Sequence, residues 1–267
     1  MLDVSLPKLG ELGKGLFTKE LEDEMLAHDI DVAVHSLKDL PTEITSGLTI
    51  GAISEREDVR DALVARDGIS GFNGLPLGAR IGTSSLRRQS QLHYARSDLA
   101  LSPIRGNVDT RLRKLDSGDY DAVVLASAGL RRLGRADRIT EYLSEDLMLP
   151  AVGQGALAIQ IRADDQLLAD LVMPLDHRQS RLACSAERAL LRGLGGGCLV
   201  PIAALATVED DTLTLRGLVA SPDGSEVIRG LETGPAGEPD VVGDRLACDL
   251  LGRGADRLLA QDQAGAI

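Results

Sequence analysis

The chain has almost no aromatic side chains: among its 267 residues there is no tryptophan, three are tyrosine and two are phenylalanine. Single-stranded nucleic acids bind largely by stacking their bases on such rings, so the composition argues against a nucleic-acid partner. No apolar run approaches the roughly 18 residues of a membrane helix. The start, Met1-Leu-Asp-Val, lacks the basic and apolar parts of a signal peptide. We therefore expect a cytoplasmic protein that does not bind membranes.

Cysteine is also scarce, and Cys184, Cys198 and Cys248 are spaced neither as metal ligands nor as a disulfide framework. We expect no metal site, and Cys184 and Cys248 fit the usual buried, inert cysteine. Cys198 differs because it lies in Gly195-Gly-Gly-Cys-Leu-Val-Pro201. Glycines leave open space around a sulfur, and a thiolate is a strong carbon nucleophile. On this context alone, a reactive and an inert Cys198 remain equally open.

The positive charge is concentrated in one part of an acidic chain. The formal net charge is −12, yet residues 80–138 hold twelve Lys and Arg against six acids, and eleven of the twelve are arginine. The planar guanidinium group binds carboxylate or phosphate through two parallel hydrogen bonds. A small polyanion is therefore the expected ligand class. The alternative is a solvated helical face in a chain that simply prefers arginine to lysine.

The same basic segment alternates strands and helices. Strands are predicted at 80–83, near 105 and at 120–126, with helices at 85–96 and 110–115. This βαβαβ order predicts a parallel sheet, in which ligands bind beyond the carboxyl ends of the strands. The loops 83–85, 105–107 and 127–129 fall at those ends, which favours a binding role for their arginines.

The rest of the chain predicts two further units. The first has a helix at 16–26 and strands at 31–35 and 48–53. A strand at 62–64 follows a charged hinge at 55–58, and a glycine loop leads through 149–162 back to the first sheet. The last unit has a helix at 180–191, strands at 203–206, 212–220 and 226–231, a hairpin turn at 221–224 and a final helix at 241–259. We expect an α/β protein with a C-terminal α+β unit.

Two short motifs carry candidate chemistry. His35-Ser-Leu-Lys-Asp39 places a carboxylate beside a cation at a strand end, where Asp39 could stabilise a developing positive charge or pass a proton. Spacing alone favours a turn-forming role for this aspartate, and His35 is expected to be a packing residue. In Thr83-Ser-Ser-Leu-Arg-Arg88, hydroxyl groups and free backbone N–H groups at a helix start could bind an anion.

Adjacent arginines point to different sides of a helix. Arg87 and Arg88 are therefore expected to hold different carboxylates, unless one of them is structural. The alternative for this motif is a capped helix with two surface arginines. Arg105, Arg111 and Arg132 add cations near the other strand ends, and several converging charge-assisted contacts could hold a multiply carboxylated ligand.

Five motifs in register resemble one enzyme family. They are His35-Ser-Leu-Lys-Asp39, Gly82-Thr-Ser-Ser-Leu-Arg-Arg-Gln89, Arg105-Gly-Asn-Val with Thr110-Arg111, Ala151-Val-Gly-Gln-Gly155, and Gly196-Gly-Cys-Leu-Val-Pro-Ile202. Together they resemble the porphobilinogen deaminases, also called hydroxymethylbilane synthases, from about Gly13 to the C-terminus.

The resemblance implies a transferase of tetrapyrrole biosynthesis. It would join four porphobilinogen molecules head to tail into hydroxymethylbilane and release ammonia at each step. The implied cofactor is a dipyrromethane attached by a thioether, here to Cys198, and Asp39 would be the catalytic carboxylate. Further cofactor-binding residues would be Lys38, Ser85, Arg87 and Arg88, and substrate-binding residues would be Arg105, Arg111, Arg132, Ser84 and Lys14.

The implied fold has two lobes like those of periplasmic binding proteins, with mostly parallel mixed sheets, and a C-terminal α+β domain with a small antiparallel sheet. The expected first lobe covers residues 1–55 and 151–175, the arginine-rich second lobe 60–149, and the domain with the cofactor cysteine 178–267. A monomer is expected. Family members begin with a strand and helix carrying Thr-Arg-x-Ser-Pro-Leu-Ala, which does not occur here. If that loss is real, the alternative is a non-catalytic module that binds small polyanions.

Overall fold

The computed structural model describes residues 18–196 and 200–264, and side chains as far as residue 260. The strands are β1 (Ala33–Ser36), β2 (Leu48–Ile53), β3 (Asp61–Ala65), β4 (Arg80–Gly82), β5 (Ala100–Ser102), β6 (Ala122–Ala126), β7 (Glu141–Tyr142), β8 (Leu157–Arg162), β9 (Ile202–Glu209), β10 (Thr212–Ala220) and β11 (Val227–Pro235). Helix α1 covers 18–26. The helices that follow are α2 (Leu86–Ala95), α3 (Val108–Asp116), α4 (Ser127–Arg132), α5 (Gln166–Val172), α6 (Arg178–Gly193), α7 (Pro239–Gly252) and α8 (Ala255–Ala264).

The first sheet has the order β1-β8-β2, and β8 pairs with both neighbours antiparallel. The predicted return of the chain at 149–162 is confirmed, because β8 inserts between the two early strands. The expected mostly parallel pairing is wrong for the described part of this sheet. The physical reason is that β8 re-enters from the second sheet and runs opposite to β1 and β2.

The second sheet has the order β5-β4-β6-β3-β7. Strand β4 pairs parallel with β5 and β6, and α2 and α3 connect these three strands, which confirms the predicted βαβαβ unit. The pairings β6-β3 and β3-β7 are antiparallel. Apolar side chains pack on both faces, with Leu63, Ile81 and Leu92 on one and Val64 and Leu112 on the other.

The C-terminal unit is a small antiparallel sheet, β9-β10-β11, covered by helices. The side chains of Leu190 on α6 and Leu246 and Leu250 on α7 form its core with Leu213 and Leu215 of β10. The mixed α/β class with a C-terminal α+β unit is confirmed. The prediction of a single final helix is wrong, since α7 ends at Gly252 and α8 begins at Ala255. Gly254 between them has φ +90, a left-handed conformation that interrupts a helix.

The two cysteines expected to be inert differ. Cys184 is fully buried, and burial raises the pKa of its thiol to about 12. Cys248 is exposed, so its predicted burial is wrong. It lies on α7 away from the buried stripe of Val242, Leu246 and Leu250. None of the helices in the described ranges combines the length and apolar character needed to cross a membrane.

Candidate active site

A cavity of about 290 Å³ lies where the three units meet. Its lining residues are Leu37, Lys38, Leu40, Pro41, Thr42, Ser85, Arg87, Ala151, Val152, Arg188, Leu191, Gly196, Val200 and Ile202. Most of this lining is apolar, with the cations of Lys38, Arg87 and Arg188 set into it. Two of the lining residues, Gly196 and Val200, stand in the sequence on either side of residues 197–199. Cys198 and Lys14 themselves lie outside the described residues.

The Asp39 motif forms a turn directly after β1. Residues Leu37–Asp39 make one 3-10 turn that is anchored by the fully buried Leu37. Lys38 lines the cavity, and its Nζ donates to Oε1 of Gln154 at 3.3 Å. Burial, and next the positive charge of Arg88, lower the pKa of Lys38 to about 8, while the negative charge of Asp39 opposes this shift. The turn therefore places a half-buried carboxylate beside a desolvated ammonium group.

Asp61 is a fully buried carboxylate that both arginines of α2 contact. Its Oδ2 accepts from Nη1 of Arg87 at 2.8 Å, and its Oδ1 accepts from Nη2 and Nε of Arg88 at 2.7 and 3.1 Å. Burial opposes ionisation, but the charges and hydrogen bonds of the two arginines hold the pKa of Asp61 well below its usual range. The two arginines therefore share one protein carboxylate, whichever ligand carboxylates they bind. Their long side chains converge although their Cβ atoms diverge.

The two arginines differ in how many of their N–H donors remain available to a ligand. Arg88 engages Nε and Nη2 with Asp61 and Nη1 with the carbonyl oxygen of Val124 at 3.0 Å. Among the described residues, Arg87 donates only through Nη1, to Asp61 and to the carbonyl oxygen of Leu149 at 2.7 Å. Because Arg87 also lines the cavity, its Nε and Nη2 are the donors placed to bind a carboxylate there.

The loop between Ala151 and Gly155 brings Gln154 into the same cluster. Gly153 and Gly155 have φ of +70 and +93, and a Cβ at Gly155 would collide with the carbonyl oxygen of Glu57. The buried Gln154 donates through Nε2 to Val59 O at 2.7 Å and to Asp61 Oδ1 at 3.1 Å, while its Oε1 accepts from Lys38. One amide thus links Lys38 of the first unit to Asp61 of the second.

The remaining predicted residues are spread along nearby loops. The Oγ of Ser84 donates to Ile104 O at 2.8 Å and accepts from Ile104 N at 3.0 Å, so this hydroxyl joins two loops. Ser85 occupies the N-cap position of α2 without a side-chain cap bond and lines the cavity. The exposed Arg132 donates through Nη2 to the carbonyl oxygen of Gly155 at 2.7 Å.

Arg111 is half-buried and donates through Nε to Gly106 O at 2.8 Å. Its pKa is lowered by burial and next by the charge of Arg88, while Asp39 opposes the shift, which places it electrostatically close to both. Arg105 is exposed on the loop after β5. His35 is buried with Nε2 3.1 Å from Gln160 Oε1, and its interpretation as a packing residue is confirmed.

The predicted hinge at 55–58 is anchored by a buried ion pair. Arg56 donates through Nη1 and Nη2 to the two carboxylate oxygens of Glu187 at 2.6 and 3.1 Å. Glu187, on α6, also accepts from Gly153 N at 2.7 Å and from Ala206 N at 2.9 Å. This carboxylate therefore joins the hinge, the glycine loop and the C-terminal sheet.

Asp61, Gln154 and Glu187 were not among the site residues expected from the sequence. A signal existed for Gln154, because it stands between two glycines in a quoted motif. Nothing local marked Asp61, since its partners follow 26 and 27 positions later.

Comparison with known proteins identifies the family. Residues 1–170 match the family model described as "Porphobilinogen deaminase, dipyromethane cofactor binding domain", and residues 181–252 match "Porphobilinogen deaminase, C-terminal domain". The porphobilinogen deaminase of Pelotomaculum thermopropionicum is 53% identical over 97% of this chain and 82% of its own length. That of Desulforudis audaxviator is 52% identical over 100% of this chain and 85% of its own length.

Solved structures match more loosely. Holo ArgBP from T. maritima has 18% sequence identity and a TM-score of 0.32, covering 58% of this chain and 66% of that chain. The two family models leave only short parts of the sequence unmatched, and the relatives align over nearly all of it. The chain belongs to the porphobilinogen deaminase family.

Proposed function

We propose that this chain is a working porphobilinogen deaminase, a transferase that joins four porphobilinogen molecules into hydroxymethylbilane and releases one ammonia per unit. The observation that carries the proposal is the cavity lined by Lys38 and Arg87, together with Gly196 and Val200, which flank Cys198 in the sequence. Porphobilinogen carries two carboxylates, so a growing chain of pyrroles is a small polyanion. The arginine-rich lobe suits that charge.

The cavity fits the family's dipyrromethane cofactor, attached through a thioether to Cys198. Leu37, Val152 and Ile202 offer apolar surface to pyrrole faces, and Lys38 and Arg87 offer cations to their carboxylates. Gly196 adds no side chain, and a Cβ there would crowd Leu191 and Ile202. When bound, the cofactor supplies the pyrrole end to which the first substrate is joined.

We assign the side chains by their position and, for Lys14, which lies outside the described residues, by the sequence resemblance alone. Lys38, Ser85 and Arg87 bind carboxylates of the cofactor, and Arg88 supports them from behind through Asp61. Substrate carboxylates are assigned to Arg105, Arg111, Arg132, Ser84 and Lys14. For Ser84 the contacts point first to a loop-joining role, because its hydroxyl already forms hydrogen bonds with the backbone of Ile104.

Asp39 carries the chemistry in this proposal. As the amine leaves the substrate, positive charge develops on the pyrrole, and a fixed carboxylate beside it lowers the barrier. The same carboxylate can accept a hydrogen bond from the pyrrole N–H and so orient the ring. Because Asp39 is half-buried, less water screens both interactions than at an exposed site.

The competing function is a non-catalytic module for small polyanions, which needs the cations but neither Asp39 nor Cys198. Family membership over nearly the whole chain favours the enzyme. We also propose the domain division 1–55 with 151–175, 60–149 and 178–267. This division is supported by the three sheets, because all the strands of each sheet fall within one of the three domains. A cytoplasmic monomer remains part of the proposal.

The test is a turnover assay on the purified chain with porphobilinogen. We expect one ammonia released per porphobilinogen consumed. Asp39→Asn should lower kcat by about 10²–10³-fold, the usual loss when a transition-state charge partner is removed. Asp109→Asn, at an exposed surface aspartate, is the matched control and should keep kcat. Tight binding of porphobilinogen without ammonia release would favour the binding module.

A further inference from the structure

Arg188 of α6 contacts the chain directly after Asp39. Its guanidinium donates to three consecutive carbonyl oxygens, through Nη1 to Leu40 at 3.4 Å and through Nη2 to Pro41 at 2.6 Å and Thr42 at 3.1 Å. The residue is 9% exposed. Three successive carbonyl oxygens that accept hydrogen bonds from one guanidinium form a specific arrangement. None of these oxygens takes part in the hydrogen bonds of a described strand or helix.

Apolar packing also anchors the Asp39 turn. Leu37 and Leu40 anchor it in the core, and Leu40 N donates to Leu37 O at 3.2 Å. From residue 41 to 47 the chain has neither helix nor strand. Arg188 therefore supplies the polar contacts that hold the outgoing end of the turn.

The same arginine stands on the helix that leads to Cys198. Helix α6 ends at Gly193, and the chain then passes through Gly196, which lines the cavity together with Leu191 and Arg188. A rigid helix thus carries both the contact to the Asp39 turn and the start of the cofactor segment. A change in the Arg188 contacts would therefore alter the position of Asp39 relative to α6 and the cavity.

We propose that Arg188 is a positioning residue that holds the Asp39 turn against helix α6 at the edge of the cavity. This inference rests on the proposed function, because it assigns Arg188 a role in that reaction. The role requires the planar fork of arginine, since one guanidinium reaches acceptors in several directions and a lysine ammonium is a point charge. Misplacement of a reacting group by about 1 Å can cost about 10²-fold in rate.

The experiment compares Arg188→Met and Arg188→Lys with Arg192→Met. Arg192 lies one turn further along the same helix, is partly exposed and pairs with Asp240, so its variant controls for the loss of an α6 arginine. Arg188→Met should lower kcat by about 10–100-fold with KM changed less than about threefold. The kcat of Arg188→Lys should lie between those of the parent chain and Arg188→Met. The kcat of Arg192→Met should match that of the parent chain.

A second readout does not depend on activity. Amide hydrogen exchange in a peptide covering residues 37–45 should be at least about tenfold faster in Arg188→Met, because local opening is easier when the turn loses its contacts. Exchange of that peptide in Arg192→Met should stay at the parent rate. Intact mass should show the same cofactor load in all chains. If Arg188→Met does not fold, Arg188→Lys supplies the same two comparisons with a smaller change.

A double-mutant cycle separates positioning from general stability. If Arg188 acts through Asp39, Arg188→Met should cost much less in the Asp39→Asn background than in the parent chain. An undiminished loss in that background, a rise in KM alone, or parent-like exchange at residues 37–45 would overturn the proposal. Failure of the proposed function looks different, because the parent chain itself would then release no ammonia while the exchange comparison still tests the contact.

Discussion

The arginines of the second lobe form a buried group and an exposed group, which the amino-acid composition alone does not distinguish. Arg87 and Arg88 are buried and share the carboxylate of Asp61, whereas Arg135 and Arg138 form exposed pairs with Asp109 and Asp116. A buried cation must be paired to be tolerated, while an exposed pair contributes little. The buried group is therefore held in place before any ligand arrives, and the exposed group is free to adapt.

Among the variants that test the difference between buried and exposed arginines, removal of the Asp61 charge should have the largest effect. Asp61→Asn leaves two buried guanidinium groups without their shared anion, and loss of one partner of a buried pair costs about 3–5 kcal/mol. We expect the free energy of unfolding to fall by that amount in urea at pH 7. Asp109→Asn removes an exposed partner and should cost less than about 1 kcal/mol. Equal losses in the two variants would contradict the division.

Arg87 and Arg88 should differ from each other in ligand binding. Arg87 keeps Nε and Nη2 for a cofactor carboxylate, so in a chain without attached cofactor Arg87→Met should weaken the binding of an added dipyrromethane about 10–100-fold, the value of one charge-assisted contact. Arg88→Met should change this affinity less than about threefold and act mainly on stability. Calorimetry in a Cys198→Ser background measures both. The opposite order of affinities would show that Arg88 is the ligand arginine.

The pH dependence of binding sharpens the role of Lys38. Its pKa is lowered from 10.5 to about 8 by burial and by Arg88, so carboxylate binding that needs the ammonium should weaken by about tenfold between pH 7 and pH 9. Lys38→Met should bind weakly and without this pH dependence.

The lowered pKa of Lys38 also affects the stability of the fold, and this effect depends on pH in the opposite direction. The unfolded chain holds the lysine proton up to about pH 10.5, so between about pH 8 and 10.5 it binds more protons than the folded chain. The contribution of Lys38 to the free energy of unfolding therefore rises with pH in that window. A urea titration of the parent chain against Lys38→Met measures it.

The smallest effect is expected at the exposed arginines. Arg132→Met should raise KM for porphobilinogen about two- to fivefold with kcat retained, because an exposed cation contributes modestly and is screened by salt. The difference from the parent chain should shrink between 0.05 and 0.5 M salt. A fall in kcat at all salt concentrations would place Arg132 among the reacting groups.

Much of the fold could be predicted from local pattern. The alternation between 80 and 126 predicts β4, α2, β5, α3 and β6, because each element is short and ends at a polar loop. The direction of β8 could not be predicted, since it depends on where a distant crossing re-enters the sheet. The break at Gly252-Arg-Gly254 and the exposure of Cys248 could have been predicted from the glycines and the buried stripe of α7.

Three of the expected site residues could be located from the sequence, but the hydrogen bonds that connect them could not. Strand ends indicated Lys38, Ser85 and Arg87, and the structure brings all three to one cavity. Their connection through Asp61 and Gln154 could not be inferred, because a single aspartate at a strand start has no local signature. The partners of a buried charge are set by tertiary packing.

The central claim is that the cavity holds a cofactor joined to Cys198, and intact-protein mass tests it most directly. The untagged chain purified from expressing cells should be heavier than its sequence by one dipyrromethane, and the Cys198→Ser chain should have its sequence mass. Equal, unmodified masses for the two chains would contradict the account.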